Sequence, residues 1–217
     1  MNHIVAINGS TKSKDSVSGL IISQIATITG SAVTVFQTLQ LINTKNSPAP
    51  DMLSGILKAD ALLIVFPLYV DALPAPLLKL LMLLERESIN AGDPLPTVYA
   101  VCNCGFYEAG HCRPALEMIE NFCGSSGLKW GYGVGIGGGG FLLSRSNNMS
   151  KGPTANIFSA LQDLGKLIES GGREKQNIFV TPKIPRFIYQ LGGNIGWRQM
   201  AGKSGLKVSL KARPHFE

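Results

Sequence analysis

The chain has 217 residues, of which 45% are hydrophobic and 16% charged, and its formal net charge is +6. Such apolar content excludes a disordered chain, and aperiodic glycines with only four cysteines exclude collagen-like and disulfide-scaffold proteins. The charge is uneven: residues 1–172 carry 11 Lys and Arg against 12 Asp and Glu, whereas residues 173–217 carry 9 against 2. We therefore divide the chain into a near-neutral domain, 1–172, and a basic, partly helical C-terminal extension, 173–217.

The start of the chain and its longest apolar region indicate neither export nor a membrane span. MNHIVAING has no Lys or Arg before a short apolar run, unlike a secretory signal peptide. The region Ala61–Leu84 contains Asp71, Lys79 and three prolines, and it divides into a strand-length and a helix-length piece. We expect a cytoplasmic protein whose four cysteines are reduced thiols.

Short apolar runs alternate along the chain with helix-length amphipathic segments. In chain order, the patterns predict a strand at His3–Ile7, a helix at 16–28, a strand at Ala32–Phe36, a helix at Asp51–Ala59, a strand at Ala61–Phe66, a helix at Pro74–Glu87, a strand at Thr97–Asn103, a helix at His111–Cys123, a strand at Leu128–Ile136, a loop at Gly137–Gly140 and a helix at Thr154–Glu169. This alternation predicts an α/β fold with a doubly wound, five-stranded parallel sheet in the order 2-1-3-4-5. Ligands bind such sheets beyond the carboxyl ends of the strands, which here points to the loops 8–16, 67–74 and 103–110.

The first of these loops reads NGSTKSKDSVSG, from Asn8 to Gly19. Its hydroxyl and cationic side chains are Ser10, Thr11, Lys12, Ser13, Lys14, Ser16 and Ser18. Because a helix N-terminus offers free N–H groups and a partial positive charge, we favour a phosphate site here. The Walker pattern GxxxxGK[ST] is absent. The alternative is a solvated loop in which Asp15 or Ser16 simply caps the helix.

The loop after the third predicted strand reads FPLYVDALPAP, from Phe66 to Pro76. Its prolines flank Tyr69 and stiffen the backbone, so the loop offers an aromatic face together with exposed amides. A flat ring system with polar edges can stack on such a face and bond to the amides. The alternative is that Tyr69 makes ordinary packing contacts on a surface loop.

Taken together, GSTK (residues 9–12) with further serines after the first strand, and PLY before a helix that starts with proline, resemble the NADPH-dependent FMN reductases of the flavodoxin-like superfamily. The resemblance covers about residues 1–172. It implies that the first loop binds the FMN phosphate, that the P-x-Y loop lies along the isoalloxazine ring, and that the loop after the fourth strand closes the other side. The cofactor-binding residues implied are Ser10, Lys12, Ser16, Ser18, Pro67, Leu68, Tyr69, Val70, Asn103, Cys104, Gly105 and Phe106.

Three of the four cysteines lie in or next to the loop after the fourth predicted strand, in CNCGFYEAGHC from Cys102 to Cys112. Iron–sulfur and zinc sites favour compact CxxC pairs, and no CxxC is present, so we expect no metal site. Cys104 is interpreted as a small neutral loop residue, with a redox-active thiol as the alternative. His111 is interpreted as a surface residue rather than an acid–base group.

A glycine-rich stretch, GYGVGIGGGG at 131–140, contains the pattern GxGxxG. The dinucleotide fingerprint belongs to the first strand-to-helix turn, whereas this stretch follows the fifth predicted strand. We therefore reject a Rossmann assignment and interpret the glycines as permissive backbone near a bound ring, with a mobile hairpin as the alternative.

The basic extension contains a helix-forming pattern after Pro182. Its apolar positions are Ile184, Phe187, Ile188, Leu191 and Ile195. We favour docking of this stripe on the domain or across a dimer; the alternative is weak contact with an anionic membrane surface, helped by Trp197. No nucleic-acid recognition fold accompanies the charge, so we expect no nucleic-acid partner.

The function expected from this resemblance is that of an FMN-dependent oxidoreductase. NADPH or NADH would supply electrons, and a small flavin, quinone or nitroaromatic would accept them. The cofactor supplies the chemistry, so no catalytic side chain is assigned. A homodimer is expected. The alternatives are a flavodoxin-like electron carrier that docks to a protein partner, and a flavin-free interaction protein on the same scaffold.

Overall fold

A computed structural model describes residues 3–12, 14–42, 48–89, 91–92, 94–203 and 205. Its strands are β1 (Ile4–Asn8), β2 (Val33–Gln37), β3 (Ala61–Pro67), β4 (Thr97–Asn103), β5 (Lys129–Ile136) and β6 (Ile178–Val180). Its α-helices are α1 (Val17–Thr29), α2 (Thr38–Ile42), α3 (Pro50–Leu57), α4 (Ala75–Ser88), α5 (Arg113–Ser125), α6 (Gly139–Leu143), α7 (Ala155–Ser170) and α8 (Arg186–Lys203). The predicted strands are confirmed to within one residue at each end.

Within these residues the sheet is parallel throughout and has the order β2-β1-β3-β4-β5-β6. The predicted order of the first five strands is confirmed, but the prediction of five strands was wrong. The sixth, β6, pairs with β5 through Val134 and Ile178. Its three residues are too few to show a strand pattern in the sequence, and only pairing with β5 defines it as a strand. The short helices α2 and α6 were not predicted either.

The inner strands β1, β3, β4 and β5 are largely buried on both faces, as the unbroken apolar run of β3 predicted. In β1, Val5 and Ile7 face the cluster formed with α3, α4 and α5, whereas Ile4 and Ala6 face the cluster formed with α1 and α7. This alternation follows from the two-residue period of a strand. Each fully buried isoleucine contributes about 1.5–3 kcal/mol, so the two clusters stabilise the sheet from both sides.

The chain divides into two compact units, Met1–Lys183 and Ile184–Glu217. The first unit contains the whole sheet, including β6. In the second, α8 has no buried residue, and Phe187 is 68% and Trp197 66% exposed. None of the described helices combines the length and apolar character needed to cross a membrane.

Candidate functional site

The candidate site lies where the strand order reverses, at the carboxyl ends of β1 and β3, with the end of β4 beside them. Asn8, Pro67 and Asn103 end these three strands. These strands are neighbours in the sheet, because Asn8 of β1 pairs with Val65 of β3, and Pro67 of β3 pairs with Asn103 of β4. The three loops predicted from the sequence therefore leave the same edge of the sheet, at the usual ligand position of a doubly wound fold.

The first loop is organised by hydrogen bonds from Asn8. Its Oδ1 accepts from the Ser10 N–H at 3.0 Å, and its Nδ2 donates to Ser16 Oγ at 3.4 Å. Ser10 Oγ in turn accepts from the Lys12 N–H at 3.2 Å. Asn8, Ser10 and Ser16 are all buried. The polar side chains of this segment thus hold the loop in one shape in front of α1.

Ser16 is the N-cap of α1, as one sequence interpretation proposed, and Asp15 is not. Its backbone is extended and its Oγ accepts from the Gly19 N–H at 3.0 Å. With both lone pairs used by Gly19 and Asn8, the Ser16 O–H remains able to donate to an anion. The first turn of α1 contains no acidic residue, and the Lys12 side chain is exposed in the preceding loop. Capping and phosphate binding are therefore compatible here.

Asn103 connects the three loops below their surface. Its Nδ2 donates to Ser18 Oγ at 3.2 Å and to the Phe66 carbonyl at 2.9 Å, and its own carbonyl accepts from the Leu68 N–H at 2.8 Å. Asn103 and Ser18 are 5% and 1% exposed. Both are predicted cofactor contacts, and their hydrogen bonds also position the loops.

The third loop makes a tight turn in an unfavourable backbone conformation. The N–H groups of Tyr69 and Ala72 each donate to the carbonyl of the other, at 3.0 and 3.1 Å. The two central residues have positive φ angles, +49° for Val70 and +57° for Asp71. Turns of this hand usually contain Asn or Gly, and a β-branched valine is disfavoured there. Val70 is also 98% exposed, so packing does not explain its presence.

The first and third loops are joined by a contact between hydroxyls. Thr11 Oγ1 and the Tyr69 hydroxyl lie 2.9 Å apart. Tyr69 keeps 40% of its surface exposed, so its ring remains available for stacking. Thr11 was noted as a loop hydroxyl but not predicted as a site residue, because nothing in its sequence context indicates the distant partner.

The fourth loop places an aromatic ring at the same edge. Phe106 is 55% exposed, and its ring centroid lies 4.5 Å from that of His111. Cys104 is buried, and its carbonyl accepts from the Gly139 N–H at 2.7 Å. Gly105 is exposed between them. Of the four residues predicted here, Phe106 offers most of the accessible apolar surface.

The glycine-rich stretch supports this fourth loop from behind. The Gly138 N–H donates to the Phe106 carbonyl at 2.6 Å. A Cβ on Gly137 would collide with the Tyr107 carbonyl and come within 2.8 Å of the Ala109 nitrogen. The glycines therefore allow two backbone segments to approach closely. This supports the interpretation of permissive backbone, although α6 begins at Gly139 within the predicted Gly137–Gly140 loop.

The pKa values of two thiols near the site, Cys104 and Cys112, are raised. All four cysteines are free and buried. The neighbouring Cys112 thiol and burial raise the pKa of Cys104, and the Cys102 side chain raises the pKa of Cys112. Since the thiolate is the reactive form, these shifts disfavour Cys104 as a redox-active thiol. Among the described residues, no group of three His, Cys, Asp or Glu side chains could hold a metal ion.

Several solved structures have the same fold as most of this chain. An NADH:FMN oxidoreductase in its apo form is 15% identical with a TM-score of 0.58, and the match covers 77% of this chain and 89% of that one. An oxidoreductase from Corynebacterium diphtheriae is 10% identical with a TM-score of 0.55, covering 78% and 96%. General stress protein 14 from Treponema denticola, solved in complex with FMN, is 12% identical with a TM-score of 0.54, covering 76% and 99%.

At the level of sequence, no protein-family profile and no curated protein matches the chain. At such low identities the structural matches establish the fold, which is the flavodoxin-like α/β fold that the sequence predicted. The resemblance to FMN reductases is thus confirmed in its architecture. A shared fold does not determine the ligand or the reaction, which depend on the residues of the site.

Proposed function

We propose that the chain is an FMN-dependent oxidoreductase that passes electrons from NADH or NADPH to a small flavin, quinone or nitroaromatic acceptor. The observation that carries the proposal is the assembly of three loops into one cradle at the strand-order reversal. The Thr11–Tyr69 contact and the Asn103 hydrogen bonds hold this cradle together. Proteins of the same fold named as an NADH:FMN oxidoreductase and as a complex with FMN support it.

The phosphate end of FMN would be held by the first loop. The features that fit a phosphate are the N-terminus of α1, the Ser16 hydroxyl and the exposed Lys12. We propose Ser10 and Ser18 as supporting residues, because both are buried and their hydroxyls take part in hydrogen bonds that shape the loop.

The ring of FMN would lie between the third and fourth loops. Tyr69 and Phe106 provide partly exposed aromatic surface on these two loops, and the loops also contribute main-chain polar groups. We propose Pro67, Leu68 and Val70 on one side, and Cys104 and Gly105 on the other, as the remaining contacts. Bound FMN would accept hydride from the nicotinamide and release electrons to the acceptor. The protein's role is to orient both partners and to limit access of water.

We test this proposal by purifying the full chain and titrating it with FMN, following the quenching of flavin fluorescence. NADH and NADPH are then added anaerobically while the visible spectrum is recorded. Stoichiometric FMN binding and bleaching by either nicotinamide are the expected results. A chain that takes up no FMN would overturn the proposal. Bound FMN that neither nicotinamide reduces would favour an electron carrier instead.

We also propose that the protein is a homodimer. Leu78 and Met82 on α4 are 42% and 49% exposed, and they line an apolar cleft of about 300 Å³ against Met118 and Phe122 of α5. A second copy would remove this surface from water. Light scattering should give the dimer mass for the natural chain and the monomer mass for Met82→Glu, with Lys79→Glu on the same helix as the control. A monomeric natural chain would disprove the proposal.

A further inference from the structure

A second cleft, of about 470 Å³, opens beside the candidate site. It lies between the Tyr69–Ala72 turn of the third loop and the start of α5. Its lining residues are Asp71, Glu108, Gly110, His111, Arg113 and Pro114. The cleft adjoins the candidate site, because the His111 ring on its wall contacts the Phe106 ring of the fourth loop. The cleft therefore borders the loop that is proposed to flank the flavin ring.

Arg113 provides a fixed cation in this cleft. Its guanidinium carbon lies 4.5 Å from the centroid of the Phe179 ring, a cation–π distance that holds the planar group in place. Among the described residues, Arg113 forms no ion pair with a carboxylate. An exposed guanidinium that is oriented but not neutralised by a carboxylate is suited to binding an anionic group such as a phosphate.

Two carboxylates accompany this cation. Asp71 lies on the strained turn of the third loop, and Glu108 lies just before α5. Carboxylates accept hydrogen bonds from ribose hydroxyls, whereas they repel a phosphate at the same position. The cleft thus combines a cation that suits a phosphate with carboxylates that suit hydroxyl groups. It therefore favours a ligand with a phosphate and free ribose hydroxyls over one with an additional 2′-phosphate.

We propose that this cleft binds the ribose-diphosphate part of the nicotinamide donor, with Arg113 holding a phosphate and Asp71 accepting a ribose hydroxyl, and that the protein therefore prefers NADH to NADPH. The inference rests on the proposed function for its donor. It assigns the preference between the two donors to residues outside the predicted FMN contacts.

The first test measures binding without hydride transfer. The full chain is titrated calorimetrically with ADP-ribose, which is NADH without its nicotinamide, and with the 2′-phosphorylated analogue. We expect ADP-ribose to bind roughly tenfold more tightly than the 2′-phosphorylated analogue. Arg113→Ala should weaken the binding of ADP-ribose by a similar factor, because the loss of a charged hydrogen bond has an effect of this order. Arg113→Lys should recover part of the affinity. Equal binding of both probes, or unchanged binding to Arg113→Ala, would overturn the inference.

The second test uses the FMN-loaded protein in steady-state kinetics. Arg113→Ala should raise the KM for NADH with little change in kcat, and Asp71→Asn should narrow the preference for NADH over NADPH. Lys79→Ala, which removes an exposed cation on α4, is the control and should change neither. A natural preference for NADPH would disprove the inference. FMN titration separates the two proposals. If the natural chain takes up no FMN, that result refutes only the proposed function.

Discussion

The Tyr69 hydroxyl lies 2.9 Å from Oγ1 of Thr11, a contact between residues 58 positions apart in the chain. It joins the loop proposed to bind the phosphate of FMN to the loop proposed to flank its ring. The two parts of the candidate site are therefore oriented relative to each other before any ligand binds, which reduces the entropy lost on binding.

The first prediction concerns this contact. Thr11→Val and Tyr69→Phe should each weaken FMN binding by roughly three- to tenfold, since one neutral hydrogen bond contributes about 0.5–1.5 kcal/mol. The double variant should be no weaker than the more affected single variant, because both changes remove the same interaction. Fluorescence titration measures the affinities, with Thr27→Val at the far end of α1 as the control. Additive losses would show that the two hydroxyls act separately.

The second prediction concerns the strained turn. Val70→Asn should raise the free energy of unfolding by about 0.5–1 kcal/mol, because asparagine adopts the left-handed conformation more easily than valine. Val35→Asn is the matched control: Val35 is also exposed, but it lies in β2, where asparagine should destabilise the protein. Urea unfolding measures both. A Val70→Asn variant that is less stable than the natural chain would contradict the assignment of strain to this turn.

The third prediction concerns the buried Tyr99. Its hydroxyl donates to the carbonyls of Leu167 and Gly172, at 3.1 and 2.9 Å, and burial raises its pKa to about 12. A raised pKa means that the folded state retains the proton more strongly than the unfolded state. Stability from this group is therefore complete below pH 10 and declines as the pH rises from 10 to about 12, by about 2–3 kcal/mol in total.

Unfolding by urea at several pH values checks this dependence. Tyr99→Phe should cost about 1–2 kcal/mol at neutral pH, since two partly buried carbonyls lose their donor. Its stability should then fall less steeply than that of the natural chain above pH 10. Tyr132, Cys112 and Cys123 also have raised pKa values, so only the difference between the two curves reports on Tyr99. Parallel curves would refute the assignment.

The fourth prediction concerns the extension. We predict that the exposed apolar side chains of α8, such as Phe187 and Trp197, dock on the domain or across a dimer. Removing residues 184–217 should then lower the midpoint of thermal unfolding, because this surface no longer contributes to packing. Sedimentation with anionic vesicles is the comparison measurement. An unchanged midpoint together with lost vesicle binding would favour the membrane interpretation, and no change in either would refute both.

The sequence by itself determined the first five strands and the loops that carry the candidate site. The apolar run of β3 and the helical period of α7 are local patterns, so they were readable without tertiary contacts. The position of the site also followed from sequence, because the order of parallel strands is limited by right-handed crossovers and short connections. Those constraints placed Ser16, Tyr69 and Phe106 at one edge of the sheet.

Only the tertiary structure showed which of these residues hold the loops together and which stay exposed at the site. The side chain of Asn103 holds the loops because Ser18 and Phe66 come within its reach, and Thr11 meets Tyr69 across the edge of the sheet. The strand β6 exists through its pairing with β5. Such contacts join residues far apart in the chain, and their distances depend on the packing of every element between them. Local sequence patterns do not indicate such long-range contacts, so the contacts could be found only in the folded protein.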